Sequence, residues 1–165
     1  MNPEQWTSFF VLVGSGSAAL AGLVFVAITI NLRGVAEDAT HRYRAINMLT
    51  GFSSAFIVSA LALMGQQTPQ ALGLEWLIVA LPATAINTNG YWQAYRRRAS
   101  SRYALSPFRI VGGSVCYLGQ VLGSVMLLLG ADSGIYVAAV ALVANFAFLI
   151  SGSWLLIVGT LSRSD

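Results

Sequence analysis

Residues 9–32 read FFVLVGSGSAALAGLVFVAITINL. No charged side chain interrupts this run. At about 1.5 Å of rise per residue it is long enough to cross the roughly 30 Å hydrocarbon layer of a bilayer as one helix. It is also dense in small residues. Gly14, Ala18 and Gly22 recur at i, i+4 and i+8, with Ser15, Ser17, Ala19 and Ala21 beside them. In lipid, apolar burial gives helices little reason to associate, whereas small residues let two backbones approach and pack closely. The run therefore reads as the packing spine of a membrane protein. It is expected to be retained: it is too long for the apolar part of a signal peptide, and the residues before it carry Glu4 and no basic side chain.

The composition of the whole chain agrees with that reading. Of 165 residues, 56% are hydrophobic and only 9% charged, with a mean hydropathy of +0.70. A soluble domain carries about 25% charged residues, so an ordinary globular protein is excluded. Long uninterrupted apolar runs, in place of short alternating segments, disfavour a membrane β-barrel. The expected fold is all-α: a polytopic bundle of five transmembrane helices at about 9–32, 45–65, 76–95, 108–130 and 135–161, forming one integral membrane domain over 1–165.

Several local signals punctuate these spans. Arg33 and Gly34 suit the end of the first helix, a cation for the helix dipole and a glycine for the C′ position. Thr40 is a candidate cap for the second. Residues 66–74 read as a polar turn with Pro69 and Gly73. Pro82 falls inside the third span and should kink it. Ser106 and Pro107 read as the cap and first residue of the fourth helix. That helix carries Gly119 and Gly123 as a GxxxG pair. The small-residue faces of the first and fourth helices either pack against each other or face outward as self-association surfaces.

Charge gives the orientation. All nine basic residues are Arg. They fall in the 33–44 loop, the 96–109 loop and the C-terminal tail. The N-terminal tail and the two remaining turns hold Glu4, Glu75 and Asp132 and no basic residue. This alternation predicts an outside N-terminus and an inside C-terminus, with Arg96, Arg97, Arg98, Arg102 and Arg109 forming a cytoplasmic basic loop. Anionic lipid or a cytoplasmic protein are the partners such a loop fits. No folded basic surface remains for nucleic acid.

The spans hold no Asp, Glu, His, Lys or Arg in their cores. Proton coupling needs a titratable site there, and a metal site needs ligands, so neither is expected. Cys116 stands alone in an apolar run, without a partner for a disulfide or a cysteine metal site, and reads as a small buried apolar residue. A serine nucleophile needs a base within reach. The single histidine, His41, lies in a loop on the opposite side from Ser15 and Ser17. The chain is thus expected to be no enzyme and to need no cofactor. What remains is a layer of neutral polar groups. Ser54, Gln120 and Asn145 fall near the bilayer middle, and Asn87 somewhat toward the inner side. These side chains either hydrogen-bond between helices as structural glue or form a polar lining for a small solute or ion.

The stretch EQWTSFFVLVGSGSAALAGLVFVAITINLRG, residues 4–34, resembles a group of small bacterial multi-span membrane proteins often labelled modulators of FtsH protease. The resemblance implies a plasma-membrane protein that binds a membrane-anchored protease and tunes it. It carries no individual functional residue with it. Two functions follow as expectations. The first is a non-enzymatic protein of the bacterial inner membrane that acts by helix–helix interaction, as a homo-oligomer or on a membrane protein partner. The alternative is a small homo-oligomeric channel or facilitator without proton coupling.

Overall fold

The computed structural model describes residues 4–30, 32, 35, 39–65, 67–96 and 107–161. Five helices account for nearly all of them: α1 (Glu4–Ile30), α2 (Ala39–Ala62), α3 (Pro69–Arg96), α4 (Pro107–Leu128) and α5 (Gly134–Leu161). Each is long and apolar enough to cross a membrane. The chain is an all-helical membrane protein in this sense.

Three helices begin earlier than hydropathy predicts. α1 starts at Glu4, not Phe9, and α2 starts at Ala39, not Ala45. α3 starts at Pro69, a full two turns before Trp76, and absorbs most of the expected 66–74 turn. The reason is local. Thr68 is the N-cap: its Oγ1 accepts a hydrogen bond from the Ala71 amide at 3.2 Å, and its carbonyl accepts one from Leu72. Pro69 follows at the first helical position, where a missing N–H loses nothing. Glu75 sits within the helix and accepts a 2.8 Å hydrogen bond from Gln67 Nε2. Hydropathy marks where hydrocarbon begins, whereas a helix ends only where its backbone bonds are redirected.

The turn between α4 and α5 is a Schellman cap. Ala131 N–H reaches back to the Met126 carbonyl and Gly130 N–H to Leu127, both at 2.9 Å. Gly130 adopts φ of 84°, the left-handed conformation this cap requires and a side chain would resist.

α2 is the central helix, packed against α1, α3 and α5. α3 packs on α4 and α4 on α5, so α2 to α5 close into a four-helix ring. α1 lies outside that ring. Only 22% of its span is buried, against 44% for α2 and α5. Its inner face carries Phe10, Val13, Gly14, Ser17 and Val24. Aromatic rings fasten its first turns: Phe10 meets Trp76 of α3 edge-on at 5.7 Å, and Trp6 meets Tyr136 of α5 at 4.8 Å. Phe52 of α2 and Phe146 of α5 make a similar edge contact further along the bundle.

Candidate functional site

The small residues of α1 do not act as one face. A Cβ on Gly14 would stand 3.1 Å from Cβ of Ser59 on α2, so Gly14 is a true close approach. Ala18 is exposed, and nothing lies within 4 Å of the position a Cβ would take on Gly22. The physical reason is phase. Each i, i+4 step falls about 40° past a full turn, so Gly22 has rotated by about 80° from Gly14. Ser15, Ala18, Ala19 and Gly22 all look away from the bundle, framed by the exposed Leu12 and Leu23. Ser15 Oγ is turned back onto the Val11 carbonyl at 2.7 Å.

The α4 pair belongs to a different interface. Gly119 faces Ala141 of α5, where a Cβ would come within 2.8 Å of the Ala141 Cβ. Gly123 faces Ala138, and a Cβ there would come within 2.6 Å of the Ala138 nitrogen. Gly134 returns the contact, its Cβ position lying 2.6 Å from the Gly123 carbonyl oxygen. The two small-residue faces therefore do not meet each other. One supports the α1–α2 contact at Gly14, the other the α4–α5 hairpin. Gly73 makes a third such approach, from α3 to the α4 backbone at Leu128 and Ser124.

The amide layer is buried. Ser54, Asn87, Gln120 and Asn145 are all largely withdrawn from the surface. Ser54 Oγ is satisfied within its own helix by the Gly51 carbonyl at 2.9 Å. Among the described residues, Asn87 Nδ2 and Gln120 Nε2 have no hydrogen-bond acceptor. Gln120 borders a gap inside the four-helix ring together with Ser124, Val58, Trp76, Ala80, Ala138 and Leu142. That gap does not admit a water-sized sphere. Ser54, Asn87 and Asn145 do not border it. Of these four residues, Gln120 alone borders this gap.

Sequence reasoning passed over three polar residues that the fold uses. Trp76 Nε1 donates to the Val58 carbonyl at 3.2 Å, joining α3 to α2 in the buried core. Asn47 of α2 presses its carboxamide against Gly90 of α3, where a Cβ would come within 2.9 Å of Asn47 Nδ2. Ser59 Oγ, opposite Gly14, is buried without a hydrogen-bond partner among the described residues. The i, i+3 spacing of Asn87 and Gly90 was the available signal for a shared α3 face.

Of the basic loop, Arg96 ends α3 and Arg109 lies in the first turn of α4. Arg97, Arg98 and Arg102 lie outside the described residues. Among the described residues, no cluster of three or more His, Cys, Asp or Glu side chains could hold a metal ion. No family model, curated protein or solved structure matches the chain.

Proposed function

We propose that this chain acts as a membrane-embedded interaction protein, with the outward face of α1 as its contact surface. One observation carries the reading. α1 presents Ser15, Ala18, Ala19 and Gly22 away from the bundle, with open space beside Gly22. Small residues on an outer helix face allow a second transmembrane helix to approach at backbone distance. The gap beside Gln120, by contrast, does not admit a water-sized sphere. The reading is non-enzymatic, and a membrane protease or another membrane complex is the kind of partner it fits. The Arg96–Arg109 segment supplies a basic docking site on the inner side, with the N-terminus outside and the C-terminus inside a bacterial inner membrane.

The test is site-directed photocrosslinking in native membranes. A probe replacing Ala19 should give a discrete protein adduct, and Gly22→Leu should abolish it. A probe replacing Val140, 69% exposed on α5, serves as control. Adducts to lipid alone at Ala19 would refute the reading. Replacing Arg96, Arg97 and Arg98 by Gln should weaken the same adduct while leaving the bundle folded.

A second reading rests on Asn87 and Gln120, whose buried amide nitrogens lack acceptors. A channel or facilitator would use such groups once its helices separate. Reconstituted vesicles should then show a flux that Gln120→Leu with Asn145→Leu abolishes.

A further inference from the structure

We infer that the first turns of α1 are a hinged plug that closes one end of the four-helix ring over the gap beside Gln120. α1 lies outside the ring, yet its Phe10 is only 2% exposed. Phe10 shares one buried cluster with Val58 of α2, Trp76 of α3, Leu127 of α4 and Ala138 of α5, so every helix of the ring contributes to the cluster that holds it. Val58, Trp76 and Ala138 also border the gap. The other gap residues lie one or two turns deeper. Ala80 follows Trp76 on α3, Leu142 follows Ala138 on α5, and Ser124 and Gln120 precede Leu127 on α4. Phe10 and its neighbours therefore stand between the gap and the end of the bundle at which α1 begins.

The gap holds one unanswered polar group. Ser124 Oγ donates to the Gln120 carbonyl at 2.7 Å, and Trp76 Nε1 donates to the Val58 carbonyl. Gln120 is 6% exposed, and its Nε2 has no acceptor among the described residues. The closed gap does not admit a water-sized sphere, so this donor is desolvated without compensation. Opening the plugged end admits water, or a small solute with a hydrogen-bond acceptor, to Gln120 and removes that cost.

α1 carries its own hinge. Directly after the plug the chain reads Gly14-Ser15-Gly16-Ser17. Ser15 Oγ donates to the Val11 carbonyl at 2.7 Å and Ser17 Oγ to the Val13 carbonyl at 2.6 Å. Such back-bonding weakens the helical ladder, and adjoining glycine and serine are a recurrent site of helix bending. Gly14 supplies the fulcrum, because a Cβ there would stand 3.1 Å from the Ser59 Cβ on α2. Withdrawing Phe10 loses packing, including the ring contacts of Phe10 with Trp76 and of Trp6 with Tyr136. It loses little apolar burial, because lipid receives the ring as readily as the core does. Phe10 is on the inner face of α1, so the inference stands whether or not the outer face holds a partner.

The experiment uses the full chain with Cys116→Ala in lipid nanodiscs, where a small charged thiosulfonate reaches both ends of the bundle. The rate of thiol modification is read for Ser124→Cys, at the gap, and for Met48→Cys, buried about 15 Å along α2 from Val58. Phe10→Ala should speed modification at Ser124→Cys by about tenfold, the scale of one aromatic contact in the closed state. Met48→Cys should stay unmodified in both backgrounds, which shows that the bundle remains folded. The hinge is read with Phe10 in place. Ser15→Ala with Gly16→Ala stiffens α1, and a Cβ on Gly16 meets nothing closer than 3.9 Å. This variant should slow modification at Ser124→Cys by about fivefold, the order set by alanine's helix preference over glycine, whereas a static core contact would not respond. The inference is overturned if Phe10→Ala leaves the Ser124→Cys rate unchanged, if Met48→Cys becomes reactive alongside it, or if stiffened α1 gives the parent rate.

Discussion

Gly123 and Ala138 hold α4 and α5 at backbone contact: a Cβ on Gly123 would stand 2.6 Å from the Ala138 nitrogen and 2.7 Å from the Gly134 carbonyl oxygen. Neither neighbour is a flexible side chain that can swing aside. Gly123→Ala should therefore push the hairpin apart and lower stability by about 1–3 kcal/mol, the usual range for overpacking. Gly22→Ala is the matched control. It meets open space and should leave unfolding in mixed micelles unchanged or slightly delayed, since alanine favours helix over glycine.

Trp76 links two helices in two ways, by its indole bond to Val58 and by its ring contact with Phe10. Trp76→Phe keeps an aromatic ring and removes the donor. It should cost about 1 kcal/mol, the scale of interhelical hydrogen bonds in lipid. Trp76→Ala removes both and should cost about 3–5 kcal/mol. Reversible unfolding in detergent separates the two variants. Equal losses would show that the hydrogen bond contributes nothing beyond the ring.

Thr68→Ala removes the cap of α3. A loss of about 1 kcal/mol is expected, concentrated in the first turn. Hydrogen exchange should find the Ala71 amide unprotected, while amides near Trp76 keep their protection. Exchange that is unaltered at Ala71 would mean that water replaces the cap without loss.

Gln120 is a buried amide whose nitrogen has no acceptor, beside a gap too small for water. Replacing such a group by an apolar one of similar shape is neutral or stabilising, because the desolvated donor disappears. Gln120→Leu should thus keep or raise the unfolding temperature. A clear destabilisation would show that the amide is partnered in the membrane as structural glue, and would weaken the channel reading.

The orientation is open to a direct check. A reporter fused after Asp165 should be active on the cytoplasmic side, as the alternation of arginine-bearing and arginine-free connections predicts. A reporter active outside would overturn the N-out, C-in assignment.

Some of this was readable in the chain itself, and the misses have definite causes. Pro107, read as the first residue of the fourth helix, is the first described residue of α4, and its candidate cap Ser106 lies outside the described residues. The same signal at Thr68-Pro69 is masked by Pro69 and Gly73 themselves, which read as a polar turn over 66–74. Polar residues at a membrane surface do not end a helix; Glu75 is simply held by Gln67 across its first turns. Asn47 and Ser59 stand in the second span with Ser53 and Ser54, and position along a helix gives no sign of which neighbour each will face.

The division between sequence and tertiary structure follows from the solvent. That five segments are long and apolar enough to cross a membrane was settled by composition, because charge and unpaired backbone are costly in hydrocarbon wherever the segment ends up. Which side of each helix faces inward was not. A helix that is apolar all round carries little periodic signal of its inner face. Only packing separated the buried Gly14 from the open Gly22, paired Gly123 with Ala138, and placed α2 at the centre with α1 outside the ring. Those choices rest on how closely particular backbones can approach, which is a property of pairs of helices and not of any one of them.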